Sequence, residues 1–447
     1  MNRDLTTGNI RGQIWRFTLP LLGSMLFQQL YNIADSLVAG RFISAEALAA
    51  VGNSYEITLI FIAFAFGSNM GSSVVVSQYF GAGRKKEMKC AISTTFIAAF
   101  ILSIVLTVLG LLFTDLLLEA INTPAELLEM SAEYLDIYIL GLLFLFFYNI
   151  ATGIFTAMGD SRTPFIFLAF SSTANIGVDI LFVTLFDMGV AGVAWATFLC
   201  QGISSILAVA ALIVRLKQIG ETKEKAPLFS FHILKQITII AIPSILQQSF
   251  ISIGNILVQS VVNSFGAAVM AGYAAAIKLN NMVITSITTI GNGISSFSAQ
   301  NFGAGKNDRV KEGRKEGLLI SIAFSVIASL LFVLLGRYIL LLFMKSDETD
   351  AIREGIRFLK IVSPFYALIS IKLITDAVLR GSGDMLPFMI STFSDLILRV
   401  ALAFILSWLL ASAVGIWLSW PIGWIVGTVI SLIFYLSGHW EKRKRLS

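Results

Sequence analysis

The sequence predicts an all-α membrane protein with twelve transmembrane helices in two six-helix lobes, and three observations support this. The 447 residues are 56% hydrophobic and 13% charged, with a mean hydropathy of +0.83. A soluble chain of this length needs far more polar surface. The apolar residues form runs long enough to cross about 30 Å of hydrocarbon as helices. The second half of the chain repeats motifs of the first.

Twelve apolar runs separated by mostly short connections define the predicted spans. They are residues 14–39, 47–79, 90–114, 133–157, 162–187, 190–214, 236–264, 269–301, 316–343, 357–379, 385–410 and 413–437. One long connection, residues 215–232, joins the sixth span to the seventh. We therefore expect an N-lobe over 1–214, a cytoplasmic linker over 215–232 and a C-lobe over 233–447.

Two motifs recur in the same order in both halves. "SQYFGAGRKKE" at 77–87 returns as "AQNFGAGKNDR" at 299–309, and "TAMGDSRTPF" at 156–165 returns as "LRGSGDMLPF" at 379–388. Because each half has six spans, both halves start on the same side of the membrane, and the repeat axis follows the membrane normal. Parallel repeats of this kind place a substrate pathway between the halves and permit alternating access.

Basic residues concentrate in alternate connections, at 83–89, 215–225, 305–315 and 441–445. Residues 114–133, by contrast, carry five acidic residues and no Lys or Arg. The positive-inside rule then predicts cytoplasmic termini for a multi-pass protein of the plasma membrane. The net charge of +5 reflects this bias of the connections, so we expect contact with membrane lipid and none with nucleic acid.

Few residues suited to catalysis or to tight metal binding occur. The two cysteines, Cys90 and Cys200, cannot form a disulfide framework or a Cys-based metal site. The two histidines, His232 and His439, fall at membrane edges. The "FGAG" turns lack the Lys and Ser or Thr of a nucleotide loop. We therefore expect neither enzymatic activity nor a cofactor, which disfavours an intramembrane enzyme.

Two acidic residues fall inside predicted spans, Asp35 in "QQLYNIADSLVAG" and Asp179 in "NIGVD". A charge at the bilayer centre costs about 2.5–3.5 kcal/mol on insertion scales and usually marks a functional site. Counting along the helices places both carboxylates in the outer half of the membrane. The polar residues expected beside them are Gln28, Tyr31, Asn149, Asn175 and Thr197.

Carboxylate, amide and hydroxyl oxygens suit a small hard cation, and two close carboxylates raise each other's proton affinity. The pattern therefore predicts a site for the coupling ion, H⁺ or Na⁺, with Na⁺ held at Asp35 and Asp179. The alternative is that both acids only join neighbouring helices. The repeat places Val258 opposite Asp35 and a residue near Ala403 opposite Asp179. The acids are thus absent from the corresponding positions of the second half.

Other polar and helix-breaking residues have less specific interpretations. Pro20 and Pro243 each interrupt the first helix of their half, as a hinge or as a static kink. Glu56 and Lys278 occupy equivalent positions and are candidates to flank a central cleft, unless Lys278 contacts Asp395 instead. A further expectation concerns Asp395 and Arg399, whose spacing of four residues predicts an intrahelical pair.

The chain resembles the multidrug and toxic compound extrusion (MATE) family over its whole length, in its paired "FGAG" turns and in "PLLGSMLFQQLYNIAD". "NIGVD" and "GVAGVAWAT" are similar to the DinF-like bacterial branch. In that branch the resemblance implies a cation site at Asp35 and Asp179, supported by the polar residues named above. Another branch carries an acid in the seventh span, where this chain has Gln247, Gln248 and Asn255 as cleft candidates.

The resemblance implies a monomeric antiporter, coupled to H⁺ or Na⁺, that exports amphipathic and often cationic organic compounds. One alternative is a flippase for a lipid-linked sugar from the same superfamily. Such a protein is expected to have a cationic cavity for pyrophosphate, and this chain places acids there. A channel is a further alternative, although duplicated halves with a one-sided acidic site favour alternating access.

Overall fold

The computed structural model describes residues 4–38, 42–219, 225–341, 343–344 and 349–443. The side chains of residues 30–37 and 45 lie outside this description. The described part of the chain is helical and contains no strand.

The helices of the first half are α1 (Ile10–Val38), α2 (Ala45–Gly81), α3 (Lys85–Leu112), α4 (Thr114–Ala120), α5 (Ala125–Leu140), α6 (Leu142–Ala157), α7 (Arg162–Thr184) and α8 (Gly189–Gln218). Those of the second half are α9 (Phe231–Asn263), α10 (Ala267–Gly303), α11 (Asn307–Leu340), α12 (Thr349–Val362), α13 (Tyr366–Gly381), α14 (Met385–Leu410), α15 (Val414–Leu436) and α16 (His439–Lys442).

Each of the twelve predicted spans coincides with one long helix or with a broken pair of helices, which confirms the predicted fold class. Within the described residues, ten segments are long and apolar enough to cross a membrane. The bent pair α5 and α6 supplies an eleventh, with an angle of 49° at Gly141. A 3₁₀ turn, Ser363–Phe365, interrupts the tenth span because Pro364 cannot donate a helical hydrogen bond.

Two compact units divide the chain. The first unit contains Arg16–Ile245, and the second contains Leu5–Trp15 together with Leu246–Arg445. The division therefore falls within α1 and within α9, and not in the connection 215–232. The lobe boundaries drawn from the sequence repeat remain a prediction about the duplication.

Hydrogen bonds inside each unit explain where the division falls. In the first unit, the start of α9 is tied to α2 because Tyr79 Oη donates to Gln236 Oε1 at 2.8 Å. In the second unit, the segment before α1 is held by α10 and α11. Asn301 Nδ2 donates to the Leu5 carbonyl at 3.1 Å, and Arg309 Nη1 donates to the Gly8 carbonyl at 2.9 Å.

Candidate cation site and a second buried charge cluster

Three helices of the first unit position the predicted cation site. The rings of Phe27 on α1 and Phe165 on α7 meet edge to face, with centroids 5.7 Å apart. Helices α7 and α8 form a hairpin, here called the first hairpin, whose turn is closed by the Met188 amide donating to the Phe182 carbonyl at 3.1 Å. Gly192 of α8 lies against Phe182, so the two helices approach closely just below the turn.

The polar side chains of the first hairpin that were predicted to bind the cation are buried. Asp179 is 0% exposed, Asn175 is 2% exposed and Thr197 is 9% exposed. Phe182 and Gly192 are in contact and therefore lie at one height along the hairpin. The heights of the other residues follow from the helical rise of about 1.5 Å per residue, counted from this contact. Asp179 lies about 4.5 Å below that level, Thr197 about 7.5 Å and Asn175 about 10.5 Å. All three therefore fall within about two helical turns of one another.

Asp35 and Tyr31 belong to α1, and their side chains lie outside the described residues. The backbone nevertheless fixes their level. Asp35 follows Phe27 by eight residues, or about 12 Å, and Asn175 follows Phe165 by ten residues, or about 15 Å. Since those two rings are in contact, Asp35 and Asn175 lie at similar heights on adjacent parallel helices.

The remaining predicted ligands are less buried. Gln28 is exposed, and Asn149 on α6 is half-buried, with its Nδ2 donating to the Leu145 carbonyl at 2.8 Å. Asn69 of α2, which the sequence analysis did not single out, lies over Gly153, one turn from Asn149. The sequence clue to Asn69 was an isolated amide side chain within the second apolar span. Its proximity to Asn149 depends on how α2 packs on α6, which the sequence does not show.

The predicted hinge and cleft residues occupy varied environments. Pro20 lies inside α1 and Pro243 inside α9, and both helices continue past the proline. Glu56 in the first unit and Lys278 in the second are exposed. Gln247 and Gln248 are half-buried, whereas Asn255 is exposed. Their roles as hinge or cleft residues remain predictions.

A second group of buried charges lies in the second unit, among α13, α14 and α15. Lys372 Nζ is 2.9 Å from Asp376 Oδ2 and 3.9 Å from Asp395 Oδ2. Ser431 Oγ donates to the other carboxylate oxygen of Asp376. The sequence analysis did not single out Lys372. Its position four residues before Asp376 within the tenth span indicates an intrahelical ion pair and could have identified it.

Arg399 has a different partner from the one predicted. Within the described residues the structure records no ion pair between Asp395 and Arg399. Instead, the Arg399 guanidinium lies over the indole ring of Trp420, with Cζ 4.2 Å from the ring centroid. Asp395 faces Lys372 across the helix interface. The predicted pair does not form a direct contact, because interhelical packing gives each side chain another partner. The two opposite charges nevertheless lie one helical turn apart and attract each other.

Comparison with known proteins gives consistent matches over the full length. The family model described as MatE matches residues 20–181 and 243–405, two segments that start at Pro20 and Pro243. This double match confirms the internal repeat.

Two bacterial relatives match nearly end to end. The probable multidrug resistance protein YpnP of Bacillus subtilis (strain 168) is 29% identical over 445 residues, covering 99% of this chain and 98% of YpnP. The probable multidrug resistance protein NorM of Thermotoga maritima is 24% identical over 447 residues, covering 98% of this chain and 95% of NorM.

A solved structure has the same fold. It is described as the outward-facing conformation of a multidrug resistance MATE family transporter of the MOP superfamily. It aligns with a TM-score of 0.91 at 24% identity, covering 99% of this chain and 98% of that one. That structure and this chain therefore share one arrangement of helices.

Proposed function

Because the chain belongs to the MatE family, we propose that it is a cation-coupled antiporter that exports amphipathic, often cationic, organic compounds. The coupling ion is H⁺ or Na⁺, and it binds in the first unit at Asp179 together with Asp35. Relatives of similar length carry the name multidrug resistance protein, which supports small organic compounds as the substrate class. The transporter works in the plasma membrane with both termini in the cytoplasm.

The observation that carries this proposal is the complete burial of Asp179 in a helix that crosses the membrane. A carboxylate in that position is expensive unless a cation accompanies it or a proton neutralises it. The oxygens of Asn175 and Thr197 lie at nearby levels on the same hairpin. Oxygen ligands of this kind stabilise H⁺ or Na⁺ and offer little to soft metals.

Exchange follows from the two charge states of this site. With Asp179 and Asp35 ionised, the first unit attracts a cationic substrate from the cytoplasmic side. Entry of H⁺ or Na⁺ from outside neutralises the site, removes that attraction and favours substrate release. For a substrate without net charge, one elementary charge moving down a potential of 100 mV supplies about 2.3 kcal/mol, which is enough to drive roughly a 50-fold concentration ratio. In one-for-one exchange with a monovalent cation no net charge moves, so the concentration gradient of the coupling ion supplies the driving force.

A flippase for lipid-linked sugars needs an excess of cations to hold pyrophosphate. Lys372 pairs with Asp376 and Asp395, and Arg399 stacks on Trp420. The third buried cation of this cluster, Arg380, donates to Asn292 and Ser295. Because these cations already have partners inside the unit, they give no observation in favour of the flippase.

The test is efflux of a fluorescent organic cation from proteoliposomes, driven separately by a pH gradient and by a sodium gradient. Asp179→Asn and Asp35→Asn are expected to lower driven efflux to the level of empty liposomes. Asp187→Asn is the matched control, since Asp187 is exposed in the turn of the same hairpin. Full efflux by the variant with amides at both positions 35 and 179 would refute the proposal.

A further inference from the structure

The first hairpin has a counterpart in the second unit, formed by α14 and α15 and here called the second hairpin. The buried residues Ser172, Asn175, Asp179 and Val183 of α7 match the buried residues Leu396, Arg399, Ala403 and Ser407 of α14, each 224 residues later. This register, taken from burial, is one residue longer than the offset of 223 between the motifs at 156–165 and 379–388. Gly192 of α8 and Gly415 of α15 also correspond, because each lies against the preceding helix just below the turn. Counting five residues onward from each glycine pairs Thr197 with Trp420.

The second hairpin therefore replaces the three groups that the first hairpin contributes to the predicted cation site. Arg399 stands where Asn175 stands in the first hairpin, and Trp420 stands where Thr197 does. Ala403 takes the place of Asp179. The register of the two prolines pairs Asp35 with Val258, which is buried in an apolar cluster. Oxygen ligands and carboxylates have thus been exchanged for a guanidinium on an aromatic ring.

Arg399 is held by an aromatic face and by charge. Its Cζ lies 4.2 Å from the centroid of the Trp420 ring, and the two residues are 6% and 4% exposed. Within the described residues, Arg399 Nε has no hydrogen-bond partner. Arginine is suited to this position because its guanidinium stacks on indole and keeps its proton in proteins.

The counter-charges of Arg399 are built into the same three helices. Asp395 precedes Arg399 by one helical turn, and Lys372 bridges Asp395 and Asp376. Gly423 of α15 leaves room for the Asp395 carboxylate, since an added Cβ would lie 2.7 Å from Oδ1. With Arg380, which is 6% exposed and one helical turn from Asp376, the buried cations outnumber the two carboxylates. The cluster therefore needs no cation from solution.

We propose that Arg399 is a tethered cation that occupies, in the second unit, the place that the coupling ion takes in the first. The second unit is then permanently loaded, and ion exchange is confined to the first unit. This inference rests on the proposed function for the role of the first unit. The tethering itself is tested without transport.

The first experiment is chemical rescue of Arg399→Ala by guanidinium or methylguanidinium at low concentration. Removing a buried charge from this cluster is expected to lower the melting temperature of the purified protein by about 10 °C. Guanidinium is expected to restore most of that loss, whereas equal concentrations of choline restore none. Arg353→Ala is the matched control, because Arg353 is 66% exposed and should show neither effect. A folded Arg399→Ala protein that guanidinium does not stabilise would overturn the proposal.

The second experiment counts protons released when substrate is added to purified protein in weakly buffered solution. Release is expected from the wild-type protein and from Arg399→Lys, which retains a cation and remains testable if Arg399→Ala does not fold. Release is expected to vanish in Asp179→Asn and to persist in Asp395→Asn. Loss of proton release in a folded Asp395→Asn protein would show that protons are exchanged in the second unit, and this result would refute the proposal. No release from the wild-type protein, with rescue intact, would count against H⁺ coupling in the proposed function alone.

Discussion

The two hairpins have the same helical design and opposite chemistry. In the first, Asp179 is buried, and the buried residues Asn175 and Thr197 lie within about two helical turns of it. In the second, Arg399 lies on Trp420, and Lys372 joins two carboxylates. The difference shows that a duplicated scaffold keeps its packing positions, a buried stripe and a close glycine contact, while its polar positions diverge.

The energetic consequences of the two arrangements also differ. In the proposed mechanism, the free energy of the buried Asp179 carboxylate changes strongly when a cation binds or leaves, so the first hairpin would respond to ions in solution. A cluster whose carboxylates already lie among tethered cations gains nothing from a further cation. The first hairpin is therefore suited to coupling, and the second to holding the charge of its unit constant.

The largest expected effect comes from neutralising the first hairpin. Asp179→Asn should abolish efflux driven by either gradient while leaving the melting temperature within a few degrees of wild type, because an amide fills the same volume. Efflux from proteoliposomes and thermal unfolding of the same preparation measure both. Retained efflux in this variant would show that Asp179 is not required for coupling, and the proposed functional difference between the two hairpins would be refuted.

Next in size is the loss of Lys372 from the second cluster. Lys372→Met leaves two buried carboxylates without their bridging cation and should lower the free energy of unfolding by about 3–5 kcal/mol. Thermal or denaturant unfolding in detergent measures the change. Lys360→Met, at an exposed position on α12, should have little effect, and a stability as high as wild type in Lys372→Met would contradict the assigned ion pairs.

Removing one charge of each sign tests the ion pair between Lys372 and Asp376 more directly. The double variant Lys372→Met with Asp376→Asn removes one charge of each sign and should recover part of the stability lost in Lys372→Met. A double-mutant cycle on unfolding free energies measures the coupling between the two residues. Additive effects would mean that the contact of 2.9 Å between Lys372 Nζ and Asp376 Oδ2 contributes nothing net.

A smaller effect is expected at Gly423, where any side chain meets Asp395. Gly423→Ala should reduce the free energy of unfolding by about 1–3 kcal/mol through overpacking. Gly52→Ala is the control, since an added Cβ there meets no atom within 4 Å. If both variants are equally stable, the close approach of α15 to the carboxylate is not required.

The smallest expected effect is on transport rate at the two prolines. Pro20→Ala restores a backbone donor in α1 and should slow efflux if the helix bends during the cycle, whereas Pro243→Ala tests the same idea in α9. Initial rates of efflux at saturating gradient are the measurement. Unchanged rates in both variants would assign the prolines to static kinks.

Much of the architecture was accessible from local pattern. Span number and type follow from the length of each apolar run, and the repeat follows from motifs such as the two "FGAG" turns. The family match at 20–181 and 243–405 agrees with both. Asp179 and Asn175 were chosen because ionisable and amide groups are costly in hydrocarbon, a property of each residue that needs no knowledge of its neighbours.

The partners of buried charges were not accessible in that way. Spacing along one helix predicted the attraction between Asp395 and Arg399. It did not predict that Asp395 also faces Lys372 or that Arg399 stacks on Trp420. The choice depends on how α13, α14 and α15 are rotated against one another, and on the room left at Gly423. Spacing along the sequence predicts contacts within one helix, but not contacts between helices.

The sequence by itself determined that this protein is a duplicated bundle of membrane helices with ionisable residues inside its spans, since hydrophobic length, charge bias and repeated motifs are local properties. Tertiary structure decided which charges meet, that the compact units divide within α1 and α9, and that Arg399 stands at the counterpart of Asn175. The physical reason is that interhelical contacts depend on the register and rotation of packed helices, which emerge only when all the helices of a unit are assembled.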